Sequence, residues 1–264
     1  MSPSKPYGFC WSSLLHGCAL VLHHNMYVYI EIFESNAKKA CSELLGFPGS
    51  AVTVGKVLVQ PLLVDVLLRA SGLPTSREVE ELVSKAEPVE VIVSRCDEGN
   101  VAAKGCKLVR LLFDGYPVRL REGRVETPTA GFDVPPPSIA IGGRLGFRYR
   151  FHGLPEEILA PMLLLVTAAA GGAWKPKSCA GLDAARGRML LYAVPGAPCA
   201  RAIAASLQVV YCSDAAEIDV VNIDTLNLLG KKPPVDKVPS FRLPSGKLHI
   251  GVPPTPEKLA AIWR

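Results

Sequence analysis

Residues 171–189 read GGAWKPKSCAGLDAARGRM. The apolar run EEILAPMLLLVTAAA leads into them at 156–170, and LLYAV follows at 190–194. The leading run reads as a helix, with Pro155 at its first turn and Glu156 and Glu157 at the positive end of its dipole. The trailing run, RMLLYAV, reads as a strand closed by Pro195-Gly196. The connection between them is punctuated by glycine and carries Lys175, Lys177, Arg186 and Arg188 against the single acid Asp183. Glycine N–H groups can approach a phosphate closely, and Ser178 can donate to a phosphate oxygen. The same composition also suits a solvated helix-to-strand connector. Gly171-Gly172 follows a helix instead of opening one, so a nucleotide P-loop is not indicated.

Upstream of the helix, residues 144–151 (RLGFRYRF) alternate. Phe147, Tyr149 and Phe151 take one face of a strand and Arg144, Arg148 and Arg150 the other. Burying three arginines is costly, so the aromatic face is assigned to the core. Tyr27–Phe33 alternates in the same way and reads as a strand. Ser35-Asn36 can cap the helix that follows. A strand over 51–60, a helix over 62–72, a charged helix at SREVEELVSKA and a strand at VEVIVSRC come next. GNVAAKGCKLVRLLFDGYPVRL suggests hairpin-like strands with glycine turns. Three consecutive prolines make TPTAGFDVPPPS a rigid extended loop. Beyond Pro195 a helix (APCARAIAASL), a strand (QVVYC) and a proline-rich tail are expected. A last helix is capped by Thr255, with Pro256 at its first position. No internal repeat is legible.

The order strand–helix–strand, long segment, strand–helix–strand is that of an α+β ferredoxin-like (βαββαβ) sheet. It would carry an insertion at about 61–143, between strands 2 and 3, and a C-terminal extension over 195–264. Residues 26–194 would form the domain. Residues 1–25 would be an N-terminal extension ahead of Met26, from an upstream start or loosely attached.

The FRYRF strand, the Pro-Glu-Glu-led helix, Gly-Gly, basic residues, Ser, Gly-Leu and Arg-Gly-Arg entering a strand together resemble the RAMP (repeat-associated mysterious protein) superfamily of CRISPR effector subunits. The matching positions are Gly171, Gly172, Lys177, Ser178, Gly181, Gly187 and Arg188. The LDAA segment departs from the family's compact glycine loop, and nothing beyond residue 195 matches. The resemblance implies a cytoplasmic, non-catalytic subunit holding guide RNA beside other effector subunits. The RNA-binding set would be these positions with Lys175, Arg186, Arg144, Arg148 and Arg150. It also admits a metal-independent repeat endoribonuclease using His23, His24 or His152. An archaeal small-molecule enzyme or structural protein unrelated to RNA is the reading outside that class.

Composition allows each of these. Of the 264 residues 49% are hydrophobic and 20% charged, which is globular and not disordered, and the net charge of +5 permits a polyanionic partner. The eight cysteines show no CxxC and no Cys/His cluster, so no metal or cofactor is expected. They read as buried thiols in a reducing cytoplasm, or as disulfides of a hyperthermophile. The uncharged run 158–174 is short for a bilayer and is interrupted by Pro161, which favours a buried core helix over a membrane span.

Overall fold

The computed structural model describes residues 18–22, 28–32, 57–58, 60–128, 132–253 and 255–263. Two units divide the chain, Met1–Leu63 and Val64–Arg264. In the first, β1 (Cys18–Leu22), β2 (Val28–Ile32) and β3 (Val57–Leu58) pair antiparallel in that order. His23, His24, Met26 and the helix expected after Ser35-Asn36 lie outside the described residues.

Helices α1 (Gln60–Ala70) and α2 (Ser76–Ser84) lead into the second unit. A capping box starts α2: the Thr75 hydroxyl accepts from the Glu78 N–H, and the Glu78 carboxylate accepts from the Thr75 N–H at 2.7 Å. Next come β4 (Val89–Ser94), α3 (Asn100–Phe113), β5 (Val118–Glu122), β6 (Ser138–Ile141), β7 (Tyr149–His152) and α4 (Leu159–Ala170). The chain continues through β8 (Gly187–Ala193), α5 (Ala197–Cys212), β9 (Ala216–Asn222) and α6 (Ile223–Leu228). It closes with β10 (Ser240–Arg242), β11 (Leu248–Ile250) and α7 (Pro256–Ile262).

Strands β4–β11 form one mixed sheet in the order β11-β10-β8-β9-β7-β6-β4-β5. Its two halves repeat one topology. In each, a strand crosses through a helix to a parallel neighbour, and the chain returns antiparallel on the other side of the first strand. A hairpin strand and a helix complete the half. This is β4-α3-β5-β6-β7-α4 in one half and β8-α5-β9-β10-β11-α7 in the other, with α6 inserted after β9. Parallel pairing of β7 with β9 joins the halves. The repeat lies in topology and leaves no repeat in the residues.

One face of the sheet presents Val89, Val91, Val93, Ile139, Ile141, Tyr149, Phe151, Met189, Leu191, Ile218 and Val220 to the helices. Helix α4 is apolar on all sides and buried along nearly its whole length, as expected for a central helix. The opposite face carries Ser138, Arg150, His152, Arg188 and Asp219. It is covered by the segment after β5, where Val125 packs on Ile92 and Ala140, and Val134 on Leu190 and Tyr192.

This architecture replaces the ferredoxin-like expectation. Residues 28–32 belong to the other sheet, and β9 separates β7 from β8. Two local features account for the difference. Residues 100–113 are a helix and not hairpin strands, with Ala102, Cys106, Val109 and Phe113 along its buried face. Gly105 sits inside that helix because a Cβ there would lie 2.9 Å from Leu154 Cδ2 and closer still to the Pro137 ring. QVVYC continues α5, and the strand comes four residues later as Ala216–Asn222. The presumed insertion and the presumed extension are therefore parts of the two sheet halves.

Candidate functional site

The carboxyl ends of β4 and β8 lie at the same end of the sheet, because both strands run in the same direction. At β4 the chain leaves the strand through Arg95, Cys96, Asp97 and Glu98. It enters α3 at Gly99, whose φ of 91° is a conformation that glycine adopts without strain. Cys96, half-buried, forms a disulfide with Cys106, which is 1% exposed on the inner face of α3; their Cα atoms are 5.7 Å apart. Pro137, cis after Pro136, stands before β6 and against Gly105, the residue preceding Cys106.

Arg95 fastens this turn. Its Nε and one terminal nitrogen donate to both Glu98 oxygens at 2.7 and 2.6 Å. The same terminal nitrogen also donates to Asp133 at 3.1 Å, and the other terminal nitrogen donates to the Val134 carbonyl at 2.6 Å. The Glu98 hydrogen bonds hold the guanidinium pKa above its ordinary value. Partial burial opposes ionisation of Asp133, but Lys231 and Arg95 outweigh it and bring the carboxyl below its usual range.

The matching position in the second half holds Cys199 in the first turn of α5, after Val194-Pro195-Gly196. Pro239, cis after Val238, precedes β10 opposite the end of β8. Cys199 is a buried free thiol that accepts the Val194 N–H at 3.4 Å, and burial pushes its pKa up to about 11. Four strand spacings, roughly 19 Å, separate β4 from β8, so Cys199 cannot reach the disulfide directly.

Between the two ends runs a buried polar chain. The Ser138 hydroxyl lies 2.8 Å from His152 Nδ1, and His152 Nε2 lies 2.8 Å from Asp219 Oδ1. Arg188 donates to both Asp219 oxygens at 2.5 and 2.9 Å, and to the Glu126 carboxylate and carbonyl at 2.9 Å each. Burial lowers the His152 pKa, with Asp219 opposing. Burial would raise that of Asp219, yet Arg188 and His152 leave it lowered. Neutral His152 therefore donates from Nε2 to the carboxylate and accepts the Ser138 hydroxyl at Nδ1. The order Ser–His–Asp suggests a nucleophile relay, but all three residues have 0% exposure and no substrate can reach them.

The residues assigned to RNA are scattered. Arg188 spends its donors on Asp219 and Glu126, and Arg150 donates to Glu217 at 2.8 Å. Arg148 lies outside the strand and donates to the carbonyls of Val210, Ser213 and Ala216, neutralising the C-terminal end of α5. Arg144 sits in a 3-10 turn, 3.6 Å from Glu87. The three arginines do not share a face. Gly171 and Gly172 end α4 where space is short: a Cβ on Gly171 would lie 2.6 Å from Ala86 Cβ, and one on Gly172 2.6 Å from Arg144 Nε. Lys175, Lys177, Ser178, Gly181, Arg186 and Gly187 are exposed on a loop tied down by a second disulfide, Cys179–Cys212. Among the described residues no group of three His, Cys, Asp or Glu side chains could hold a metal, and no helix is long and apolar enough to cross a membrane.

Fold and site together define a thioredoxin-like architecture with a disulfide at a strand-to-helix junction. The alkylhydroperoxide reductase component AhpF of Enterococcus faecalis is similar with a TM-score of 0.58 at 15% identity, over 71% of this chain and 96% of that one. A structure of the NTD_N/C domain of the same reductase has a TM-score of 0.57 at 15% identity, over 71% and 97%. A protein disulfide oxidoreductase from Aeropyrum pernix has a TM-score of 0.50 at 17% identity, over 71% and 90%. No protein-family model and no curated protein matches the chain. The thioredoxin-like fold overturns the RAMP resemblance, together with the guide RNA, the effector-subunit partners and the repeat endoribonuclease that came with it.

The Cys96–Cys106 disulfide itself escaped sequence reading. Cys96 and Cys106 are ten residues apart, and no short motif marks them. A β-branched strand ending at a cysteine, followed by glycine and the buried stripe of α3, was the available signal.

Proposed function

We propose that the chain exchanges dithiols and disulfides with partner proteins, using Cys96–Cys106 as its redox pair. The observation that carries this reading is the asymmetry of the pair at the carboxyl end of β4: Cys96 is half-buried and Cys106 is enclosed. The thioredoxin-like neighbours, among them a protein disulfide oxidoreductase, support it.

The asymmetry sets the order of events. A partner thiolate attacks Cys96 Sγ, the Cys96–Cys106 bond breaks, and Cys106 leaves with the electron pair as a thiolate. A second thiolate on the partner then attacks the partner's own sulfur in the mixed disulfide and releases Cys96. Two electrons have passed to the protein, the partner departs as a disulfide, and the two new thiolates take up two protons. The reverse sequence reduces a partner disulfide.

With dithiothreitol as electron source, the wild-type chain should accelerate reduction of insulin disulfides, and both Cys96→Ser and Cys106→Ser should abolish the acceleration. Cys106→Ser should also trap glutathione at Cys96 after treatment with glutathione disulfide, detected by peptide mass. A folded chain whose pair resists dithiothreitol, or whose activity survives both substitutions, would overturn the reading.

A further inference from the structure

We infer that Arg95 is a positioning residue for this exchange, holding Cys96 within reach of Cys106 while the disulfide is open; the inference rests on the redox reading above. Once reduced, the pair loses its covalent link. Cys106 stays fixed because it lies on the buried face of α3. Cys96 is held less firmly: it is only partly buried against the core and lies in the irregular turn between Ser94 and Asn100.

The polar hold on that turn comes from the guanidinium of the preceding residue. Arg95 has a φ of 66°, which directs the chain sharply out of β4. Its side chain is only 15% exposed. Its four hydrogen bonds connect the two segments that flank the pair. Glu98 belongs to the Cys96 turn, and Asp133 and the Val134 carbonyl belong to the segment leading to Pro137. Lys231 donates to Asp133 from the far side at 2.8 Å. A planar fork donating in two directions is a role lysine cannot fill.

A clamp of this kind acts on ring closure. In reoxidation by glutathione disulfide, Cys96 thiolate attacks one glutathione sulfur and expels glutathione thiolate. Cys106 thiolate then attacks Cys96 Sγ and expels the second. Two electrons leave the protein and reduce one glutathione disulfide. The first step is bimolecular and needs only an accessible thiolate. The second is intramolecular, and its rate measures how well the two sulfurs are held together.

The test follows both steps in the wild type, Arg95→Lys, Arg95→Gln and Glu98→Gln, by acid quench, alkylation and mass analysis of the 96–106 peptides. Glu98→Gln leaves the bond to the Val134 carbonyl in place, so it reports even if an Arg95 variant fails to fold. Closure should slow about tenfold in Arg95→Gln, nearly as much in Arg95→Lys, and about threefold in Glu98→Gln. Mixed-disulfide formation and the melting temperature of the oxidised form should stay close to wild type. Equal closure rates in all four proteins, or a loss confined to melting temperature, would overturn the positioning role. A wild-type pair that never exchanges with glutathione overturns the redox reading itself, which keeps the two failures distinct.

Discussion

His152 has no exposed surface and stands between a hydroxyl and a carboxylate, so its titration is linked to folding. Its folded pKa lies below the ordinary value of 6.5, first through burial. Below that pH the unfolded chain takes up a proton that the folded chain refuses, and stability must fall as pH falls. One proton corresponds to a slope of up to about 1.4 kcal/mol per pH unit. Asp219, also lowered, adds a further loss as pH drops below its ordinary 3.8. Denaturant unfolding at pH 7, 6 and 5.5 should therefore show declining stability. His152→Gln should be less stable at pH 7 and should lose most of this slope. Identical slopes in the two proteins would remove His152 as the linked group. At this scale the sequence was least legible: Arg188 reads as a loop cation, yet it is partnered by residues 31 and 62 positions away.

Helix α3 is the element on which the reading of the fold turned. Its Gly99 and Gly105 mimic the turns of a hairpin. Gly105 is set by packing, because cis-Pro137 and Leu154 fill the space a Cβ would need. Helix propensity alone would make Gly105→Ala stabilising by about 1 kcal/mol. The Pro137 ring cannot swing aside, so overpacking should reverse the sign and leave a net loss on the order of 1–3 kcal/mol. Urea unfolding of the variant decides between the two, and a gain in stability would mean that α3 sits farther from Pro137. Gly105 precedes Cys106, so under the proposed dithiol–disulfide function the variant should also slow exchange at the disulfide. By contrast α4, β8 and the Thr255 cap of α7 were legible, since an apolar run or a hydroxyl before Pro256 carries its signal locally.

Over the larger unit, two disulfides differ in what they constrain. Cys96–Cys106 closes ten residues next to the sheet end, whereas Cys179–Cys212 spans 33 and straps the 171–187 connection to the end of α5. Loop-closure entropy assigns the longer bridge about 3–4 kcal/mol. Leu182 and Ala185 anchor the end of the strapped loop, the Arg186 N–H donates to the Trp263 carbonyl, and Trp263 Nε1 donates to the Gly187 carbonyl. Residues 175–181 are mostly exposed. A Cys179→Ser/Cys212→Ser double variant should lose close to that stability and become open to trypsin at Lys177 while the rest of the unit stays intact. Unchanged trypsin resistance would show that the apolar anchors suffice without the bridge.

From its residues alone the chain determined α4, β8, the start of α5 and the cap of α7, and that the uncharged run beginning at Ile158 supplies a buried core helix and not a membrane span. Those properties depend on periodicity, caps and prolines within a few residues of one another. Tertiary structure decided the rest. The insertion of β9 between β7 and β8 turned an apparent βαββαβ order into two joined thioredoxin-like halves. Packing against Pro137 turned a glycine-marked segment into α3. That helix brought Cys106 to Cys96 and created a disulfide that no spacing announces. Burial beneath the segment after β5 converted Arg150, His152 and Arg188 from surface candidates into partners of Glu217, Asp219 and Glu126. Strand order, burial and disulfide pairing join residues tens of positions apart, and such contacts leave no imprint on local periodicity.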